Sequence, residues 1–277
     1  MSAPKTLRPC SVCGTFYPAN PPLLEKQIKE LFERVPERTI QGRIRGLISP
    51  HAGYMYSGFT AACGYSLLRG KTFDRVVVVS PSHREYFDGI SVFPGEAYQT
   101  PLGAVRVDEE LRKQLLEASP LVEASYAGHG DEHAVEVQLP FMQTVLSEFS
   151  FLPIVLGDQR REYCFALGSA LAAVLKDRKN TLLVASTDLS HYYPGNRANV
   201  LDSVMINDVR DFDPERLMQD LESGRTEACG GGPTVAVLSA LKQMDVTRMD
   251  VLHHCNSGDV TGDYSMVVGY LSAVAHA

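Results

Sequence analysis

Three stretches of the sequence share one pattern, in which an apolar run leads into serine, a turn and a histidine. They are GLISPHAGY (46–54), VVVVSPSH (76–83) and LLVASTDLSH (182–191). Runs of this kind are typical of strands buried on both faces of a parallel or mixed sheet. In open α/β sheets, ligands bind beyond the carboxyl ends of the strands. If the three strands are parallel neighbours, we expect the polar residues that follow them to converge on one crevice. Those residues are His51, His83, Asp188 and His191.

Apolar, β-branched runs alternate with helical patterns along most of the chain, which predicts an α/β fold. Strands are expected at 44–49, 75–80, 150–156, 181–186, 248–254 and 264–274. Helices are expected at 21–35, 57–69, 108–118, 133–147, 160–176, 197–210, 214–223 and 233–244. We predict a central mixed, largely parallel β-sheet flanked by helices, in a single domain over residues 1–277. The stretch 89–107 indicates short strands and a hairpin inserted into this alternation.

The composition argues against several classes of partner. The chain of 277 residues is 44% hydrophobic and 21% charged, so it can bury a substantial core. A formal net charge of −7, with no basic run, argues against nonspecific binding to nucleic acid or acidic membranes. The N-terminus, MSAPKTLRPC, lacks the apolar core of a secretory signal, and no stretch approaches the roughly 18 apolar residues that cross a bilayer. We therefore expect a cytoplasmic protein without nucleic-acid or membrane partners.

The six cysteines are expected to be reduced thiols, because the chain is long and shows no signal peptide. Cys63 and Cys164 lie in Ala-rich helical patterns and are expected to be buried packing residues. Cys10 and Cys13 form a CxxC pair, but no second pair is present and no strand and helix frame it. A functional role for this pair is therefore the less favoured interpretation.

Cys229 stands in EACGGGPTVAVLSAL, before a Gly-rich turn and a helix expected to begin near Pro233. A helix N-terminus lowers the pKa of a thiol, so Cys229 is a candidate thiolate ligand or nucleophile. Alternatively, the glycines only let the backbone turn and Cys229 packs beneath it.

Two or three imidazoles with a carboxylate or a thiolate form a suitable set of ligands for a divalent metal. Two histidines and a carboxylate suit non-haem Fe(II), whereas three N or S ligands also suit catalytic Zn(II). The spacing does not separate these alternatives, since ligands from different strands carry no fixed interval.

The segment GHGDEHAVEVQLPF (128–141) is expected to open a helix with Asp131 and Glu132. His133 and Glu136 would share one face of that helix and could relay protons or hold ligating imidazoles. For Asp131 and His129, a capping role is the simpler interpretation. A second polar cluster, LHHCNSGDVTGDYSM (252–266), is less favoured, because His253 and His254 would point to opposite faces of a strand.

Eight motifs follow one another in the order seen in the Memo family, and the chain resembles its prokaryotic members called AmmeMemoRadiSam system protein B. They are GTFYPA, ISPHAGYMYSG, VSPSH, TPLG, DEHAVEVQLPF, STDLSHYYP, ACGGGP and GDYSMVVGYLSA. The resemblance runs from about residue 8 to 274. It departs from the family at Cys13, where members commonly have a small apolar residue.

The resemblance implies the fold of class III extradiol ring-cleaving dioxygenases, which use mononuclear non-haem Fe(II). It implies a metal site on the histidines of PHAGY and SPSH and on the cysteine of the CG motif, here His51, His83 and Cys229. Asp188 and His191 would line the same pocket and transfer protons as catalytic residues. A thiolate ligand shifts the preference toward Cu or Zn, so Fe(II) is expected first and those ions second. A radical-SAM protein and a small companion protein are the partners that the resemblance implies.

Three functions stay open at this point. The first is a redox metalloprotein or dioxygenase, with Tyr54, Tyr192, His133 and Glu136 as substrate-binding residues. The second is a non-catalytic module that binds a peptide or a small anionic ligand, for which Tyr56 and Tyr193 would complete an aromatic rim. The third, less favoured, is a Cys–His hydrolase with Cys229 as nucleophile and His191 or His83 as base.

Overall fold

The structure is a computed structural model that describes residues 6–277. Its strands are β1 (Leu7–Arg8), β2 (Ile44–Ser49), β3 (Arg75–Pro81), β4 (Ile90–Val92), β5 (Ala97–Thr100), β6 (Gly103–Arg106), β7 (Val122–Ala124), β8 (Ser150–Leu156), β9 (Thr181–Ser186), β10 (His191–Tyr193), β11 (Arg248–Asn256) and β12 (Val267–His276). Its helices are α1 (Pro21–Glu33), α2 (Tyr54–Tyr65), α3 (Glu109–Ala118), α4 (Leu139–Val145), α5 (Arg161–Leu175), α6 (Gly195–Arg210), α7 (Pro214–Glu222), α8 (Gly231–Gln243) and α9 (Gly258–Thr261). Residues 1–5, half of the segment used to argue against a secretory signal, lie outside the described residues.

The main sheet has the strand order β10-β12-β2-β9-β3-β8-β4-β7, and β11 pairs with β12. Strands β2, β9 and β3 are parallel neighbours, as are β3 and β8. β12 runs antiparallel to both β2 and β11, so the sheet is mixed. The predicted α/β class and the predicted adjacency of the three histidine-bearing strands are therefore confirmed.

Helices cover both faces of this sheet, which explains why the central strands are apolar throughout. All four valines of Val76–Val79 are fully buried. Helix α8 contacts β2, β3 and β9 and is backed by α5 and α7, whereas α2 contacts β2 and β12 and is backed by α1. Gly46 lies against Leu241 of α8, while the next residue, Leu47, lies against Gly64 of α2. None of the helices over residues 6–277 combines the length and the apolarity needed to cross a bilayer.

The predicted insertion at 89–107 is present as strands β4, β5 and β6. β5 and β6 form the hairpin, and β1 adds to it to give a separate three-stranded sheet. β4 instead joins the main sheet beside β8. The N-terminal strand is thereby attached to a part of the chain about ninety positions later.

Two predicted helices differ from the structure by three or more residues at one end or both. The helix expected at 57–69 begins at Tyr54 and ends at Tyr65, with a 3-10 turn over Ser66–Leu68. The helix expected at 133–147 is a 3-10 turn over Glu136–Gln138 followed by α4. Before that turn, the carboxylate of Glu132 accepts the backbone N–H groups of the two residues that follow it.

The cysteines differ from the prediction at one pair. Cys10 and Cys13 form a disulfide, with their Cα atoms 5.9 Å apart, so the expectation of six reduced thiols is wrong. A CxxC spacing in this turn brings the two Cα atoms within the range that a disulfide spans. Cys63 and Cys164 are buried free thiols, as predicted.

The disulfide turn lies in an arm, residues 8–17, that wraps the buried carboxylate of Glu136. Arg8 Nη1 donates to that carboxylate at 2.6 Å, and both side chains are almost fully buried. The backbone N–H groups of Ser11 and Val12 and the hydroxyl of Tyr17 donate to it as well. The guanidinium of Arg8 also donates to backbone carbonyl oxygens in the segment 129–132. The arm therefore fixes the segment that precedes α4.

We expect Arg8→Ala to lower the free energy of unfolding by roughly 3–5 kcal/mol, because it leaves the Glu136 carboxylate buried without its cation. The matched control is Lys26→Ala, which breaks the exposed Lys26–Glu30 pair at 3.8 Å. That change should cost about 0.5 kcal/mol or less. Urea unfolding of both variants at one pH measures the difference. Equal losses would show that the Arg8–Glu136 pair does not hold the arm.

Candidate metal centre

Three imidazoles meet beyond the carboxyl ends of β2 and β3. His51 follows β2, His83 follows β3, and His133 comes from the irregular segment before α4. One ligand atom from each ring lies within 4.8 Å of those of the other two. The ring centroids are 4.6 Å apart for His83 and His133, and 5.0 and 5.3 Å from His51 to each of these. This cluster could hold one metal ion.

The hydrogen bonds around Ser186, at the end of β9, determine the tautomer of His51. Ser186 Oγ donates its single proton to the carbonyl oxygen of Ala134 at 2.7 Å and accepts from Gln138 Nε2 at 2.8 Å. His51 Nδ1 lies 2.9 Å from the same oxygen and must therefore be the donor. Gln138 is held in turn by the hydroxyl of Tyr65. The proton on Nδ1 leaves Nε2 of His51 with the lone pair that a metal ligand needs.

Glu132 determines the tautomer of His83. His83 Nδ1 lies 2.9 Å from Glu132 Oε1, and the backbone N–H of His83 donates to Oε2. Burial by itself raises the pKa of Glu132, but the hydrogen bonds and the charge of His83 outweigh it and lower the pKa to about 2. An ionised Glu132 only accepts hydrogen bonds, so Nδ1 of His83 carries the proton. A carboxylate on the far nitrogen is the arrangement that orients metal-ligating histidines in many proteins.

His133 completes the cluster with an unsatisfied atom. Its Nδ1 is buried without a hydrogen-bond partner, 3.3 Å from Glu132 Oε1 but outside hydrogen-bond geometry. Phe16, from the N-terminal arm, lies against its ring with the centroids 4.8 Å apart. Burial and the neighbouring His51 lower the pKa of His133 to about 4, and burial lowers the pKa of His51 well below its usual value. Both rings are neutral at pH 7, as metal ligands must be.

Cys229 lies against this cluster, immediately before the first turn of α8. Its Sγ is 3.1 Å from His51 Nε2, and the backbone N–H of Asp188 donates to it at 3.3 Å. The turn fits because residue 230 is glycine: a Cβ there would collide with the carbonyl oxygen of Ser186. Since Nε2 of His51 carries no proton, the thiol is the donor in their contact.

The protonation of Cys229 differs from the prediction. Burial raises the pKa of the thiol well above its usual range, and the Asp188 carboxyl adds to this. The expected lowering by the helix N-terminus is therefore wrong for the metal-free site. A Cys–His hydrolase needs a thiolate and a protonated histidine. Here His51 stands beside Cys229, in place of the predicted His191 or His83, and both groups are neutral.

Asp188 and His191, from the loop after β9, lie on the wall beside the cluster. Asp188 Oδ1 accepts the backbone N–H of His51 at 2.8 Å, and burial raises the pKa of the carboxyl. Nδ1 of His191 lies 2.7 Å from the carbonyl oxygen of Leu189, so it carries the proton and Nε2 is an acceptor. The pair therefore places a buried carboxyl with a raised pKa and an imidazole side by side on the cavity wall.

The three histidines of the cluster line one cavity of about 1350 Å³, together with Cys229, Asp188 and His191. Seven of the nine predicted site residues line it: His51, His83, His133, Asp188, His191, Tyr192 and Cys229. The structure places the other two in the core. The hydroxyl of Tyr54 donates to the carbonyl oxygen of Val137 at 2.7 Å, and Glu136 is the fully buried partner of Arg8. Neither faces the cavity, so their predicted contact with substrate has no support.

Comparison with known proteins agrees with this fold and these motifs. Residues 8–274 match the sequence model of a family described as Memo-like protein. The chain belongs to the Memo family. It is 38% identical over 270 residues to a MEMO1 family protein of Methanosarcina barkeri, covering 97% of this chain and 99% of the relative. It is 37% identical over 276 residues to a MEMO1 family protein of Thermotoga maritima, covering 95% and 98%.

A solved structure shows a similar fold at much lower identity. An uncharacterized protein of Escherichia coli K12 superposes with a TM-score of 0.54 and 17% sequence identity. The match covers 84% of this chain and 99% of that one. At this identity the similarity establishes the architecture only.

The sequence does not reveal the role of several residues that orient the histidines of this Memo site. Glu132 and Gln138 reach their partners across 49 and 48 positions of chain, so no local spacing reveals them. Ser186 is visible in the sequence only as the serine that ends the third apolar run. The predicted second cluster is divided: Ser257, Thr261 and Asp263 line the same cavity, whereas its two histidines lie apart from the histidine cluster. His253 forms a hydrogen bond with Thr60 at 3.0 Å, and His254 is exposed. The two adjacent histidines thus point to different sides of β11, as predicted.

We expect Glu132→Gln to weaken Zn(II) binding about 10- to 100-fold, because the amide cannot accept all the hydrogen bonds that fix His83. Competition with a chromogenic chelator measures this. The matched control is Glu136→Gln, a buried carboxylate of the same segment bonded to Arg8. The control should lose stability and keep its affinity for Zn(II). If both variants lose affinity for Zn(II) equally, Glu132 acts only through the stability of the fold. Should Glu132→Gln not fold, Glu132→Asp is compared with the same control.

Proton release separates Cys229 from the histidines as a ligand. The raised pKa of the thiol keeps its proton in place at pH 8, so ligation by sulfur must release it. His51 and His133, with lowered pKa values, carry no proton to release at that pH. We expect wild type to release one proton per Zn(II) more than Cys229→Ala, so that its affinity also rises more steeply with pH. Calorimetry in two buffers of different ionisation enthalpy measures the release; equal values would remove Cys229 from the ligand set.

Proposed function

We propose that this Memo family protein is a mononuclear metalloenzyme that uses Fe(II) to oxidise an organic substrate with O2. The observation that carries the proposal is the convergence of three imidazoles, with ligand atoms within 4.8 Å of one another, at the buried end of a large cavity. The first two ligands are His51 and His83, and the third is His133 or Cys229. The choice of Fe(II) comes from the resemblance to extradiol dioxygenases.

The donor set fits a borderline divalent ion. Imidazole nitrogens suit Fe, Zn and Cu, and a thiol beside them favours the softer of these, so Cu and Zn are the alternative ions. Three ligands from the protein leave positions open for other molecules, as catalytic sites require. When bound, such an ion supplies Lewis-acid and redox chemistry at the base of the cavity.

The side chains beside the cluster would move protons for this reaction. His191 holds the carbonyl oxygen of Leu189 with Nδ1, which leaves Nε2 for contact with a substrate and suits a general acid or base. Asp188 is buried and its pKa is raised, which suits a group that holds and returns a proton.

A second candidate is a binding module that uses the same cavity without turnover. The cavity, at about 1350 Å³, exceeds the roughly 300–1,000 Å³ of most small-molecule pockets, so it admits a small molecule or a peptide side chain with its backbone. We also propose that the protein acts in the cytoplasm with a radical-SAM protein and a small companion protein. This part of the proposal is supported only by the family resemblance.

Metal analysis after anaerobic purification is the first test. We expect a single equivalent of iron per chain in wild type, and its loss in His83→Ala, which removes one of three ligands. The control is His254→Ala, an exposed histidine on β11. A wild type that neither retains nor takes up iron, copper or zinc would overturn the metalloenzyme proposal.

Oxygen uptake by the iron-loaded protein with a panel of catechols is the second test. We expect uptake that falls at least tenfold in His191→Ala, since general acid–base groups contribute on the order of 10²–10⁴ in rate. An iron-loaded protein that consumes no O2 with any member of the panel would favour the binding module.

A further inference from the structure

Three large apolar side chains lie at the open end of the cavity. Met55, Tyr192 and Met266 line it and are 66%, 71% and 66% exposed, whereas His51 and Asp188 at the other end are 1% and 3% exposed. The exposed polar residues of the lining include Arg160, Glu222, Thr261 and Asp263. Exposed apolar residues that share one concave surface indicate a binding site far more than scattered ones do.

Tyr192 is held at this entrance in a strained conformation. Its φ is 61°, in the left-handed region that residues other than glycine, asparagine and aspartate seldom adopt. It is the extra residue at a register shift between β10 and β12. The residues on either side of it are both fixed to Glu227, by the backbone N–H of His191 and the hydroxyl of Tyr193. These contacts hold the backbone of Tyr192 in the strained conformation, and its ring is exposed at the cavity entrance as a result.

The inner wall continues this apolar surface. Phe16, Met218, Leu221 and Val268 line the same cavity and are less exposed than the three residues at its open end. Methionine side chains adapt to ligands of irregular shape, which suits a site with three of them.

The cations of the wall already have partners. Arg160 pairs with Asp158 and Asp88, and Arg161 pairs with Glu215 and Glu222. Neither guanidinium is available without breaking these pairs, so the wall does not favour a ligand with an anionic body.

We propose that the substrate is an elongated, uncharged apolar molecule with a small polar head. The head lies at His51, His83 and His133, and the apolar body extends past Met218 and Leu221 to Met55, Tyr192 and Met266. A single ring, such as unsubstituted catechol, would occupy only the base of the cavity. The position of the head rests on the proposed function, whereas binding of the body depends on the apolar wall alone.

A homologous series of ligands tests this proposal. Catechol, 4-butylcatechol and 4-octylcatechol are titrated against the Zn(II)-loaded protein, which binds without oxidising them, and against the metal-free protein. We expect affinity to rise up to about fourfold per methylene until the cavity is filled. The rise should occur in both forms, since it comes from the wall. A loaded protein that binds the three ligands equally would overturn the proposal. If the protein takes up no metal but still binds longer alkyl chains more tightly, the proposal on the apolar body is supported and the metalloenzyme proposal fails.

Variants at the entrance sharpen the test. Tyr192→Gly removes the ring and places at this φ the residue that favours it, so we expect a higher melting temperature together with a smaller gain per methylene. Met55→Ala with Met266→Ala should reduce the gain as well. The control is Val200→Ala, a residue 66% exposed on α6 that does not line this cavity. If the entrance variants keep the gain of wild type, the entrance does not bind the substrate body and the proposal is wrong.

Discussion

Parallel pairing brings the carboxyl ends of β2, β9 and β3 to the same edge of the sheet, and the candidate metal centre depends on this constraint. β2 delivers His51, β3 delivers His83, and β9, between them, ends in the Ser186 hydroxyl that orients His51. The helices that bury both faces keep the strands fixed, so short turns can hold polar groups at defined positions. A change in the order of these strands would separate the histidines however well each turn was preserved.

The sequence allowed this part of the site to be predicted because the buried runs mark the strands and the residues after them mark the edge. It did not allow His133 to be placed in the cluster. The helical pattern around it put His133 on one face with Glu136, but the carboxylate of Glu132 takes the amides of that turn and the helix begins later. As a result His133 faces the cavity and Glu136 faces Arg8. Tyr54 was misplaced for a similar reason: α2 begins with it, and its ring turns into the core. The buried partners of Glu136 and Tyr54, Arg8 and the carbonyl oxygen of Val137, lie 128 and 83 positions away, so no local pattern reveals them.

Burial shifts the pKa values of several groups at the site in one direction, toward their neutral forms. The imidazoles of His51 and His133 and the thiol of Cys229 are all held in their neutral forms, and Asp188 is shifted the same way. The ionised group in contact with the cluster is Glu132, whose charge faces Nδ1 of His83. The base of the cavity therefore presents nitrogen and sulfur donor atoms beside one ionised carboxylate.

The N-terminal arm ties one histidine of the cluster to a distant part of the chain. Arg8 binds groups that lie 121 to 128 positions later in the chain, and Phe16 of the same arm packs against the ring of His133. His51 and His83 instead follow strands of the sheet directly. A change in the arm would therefore displace one of the three imidazoles and leave the other two in place.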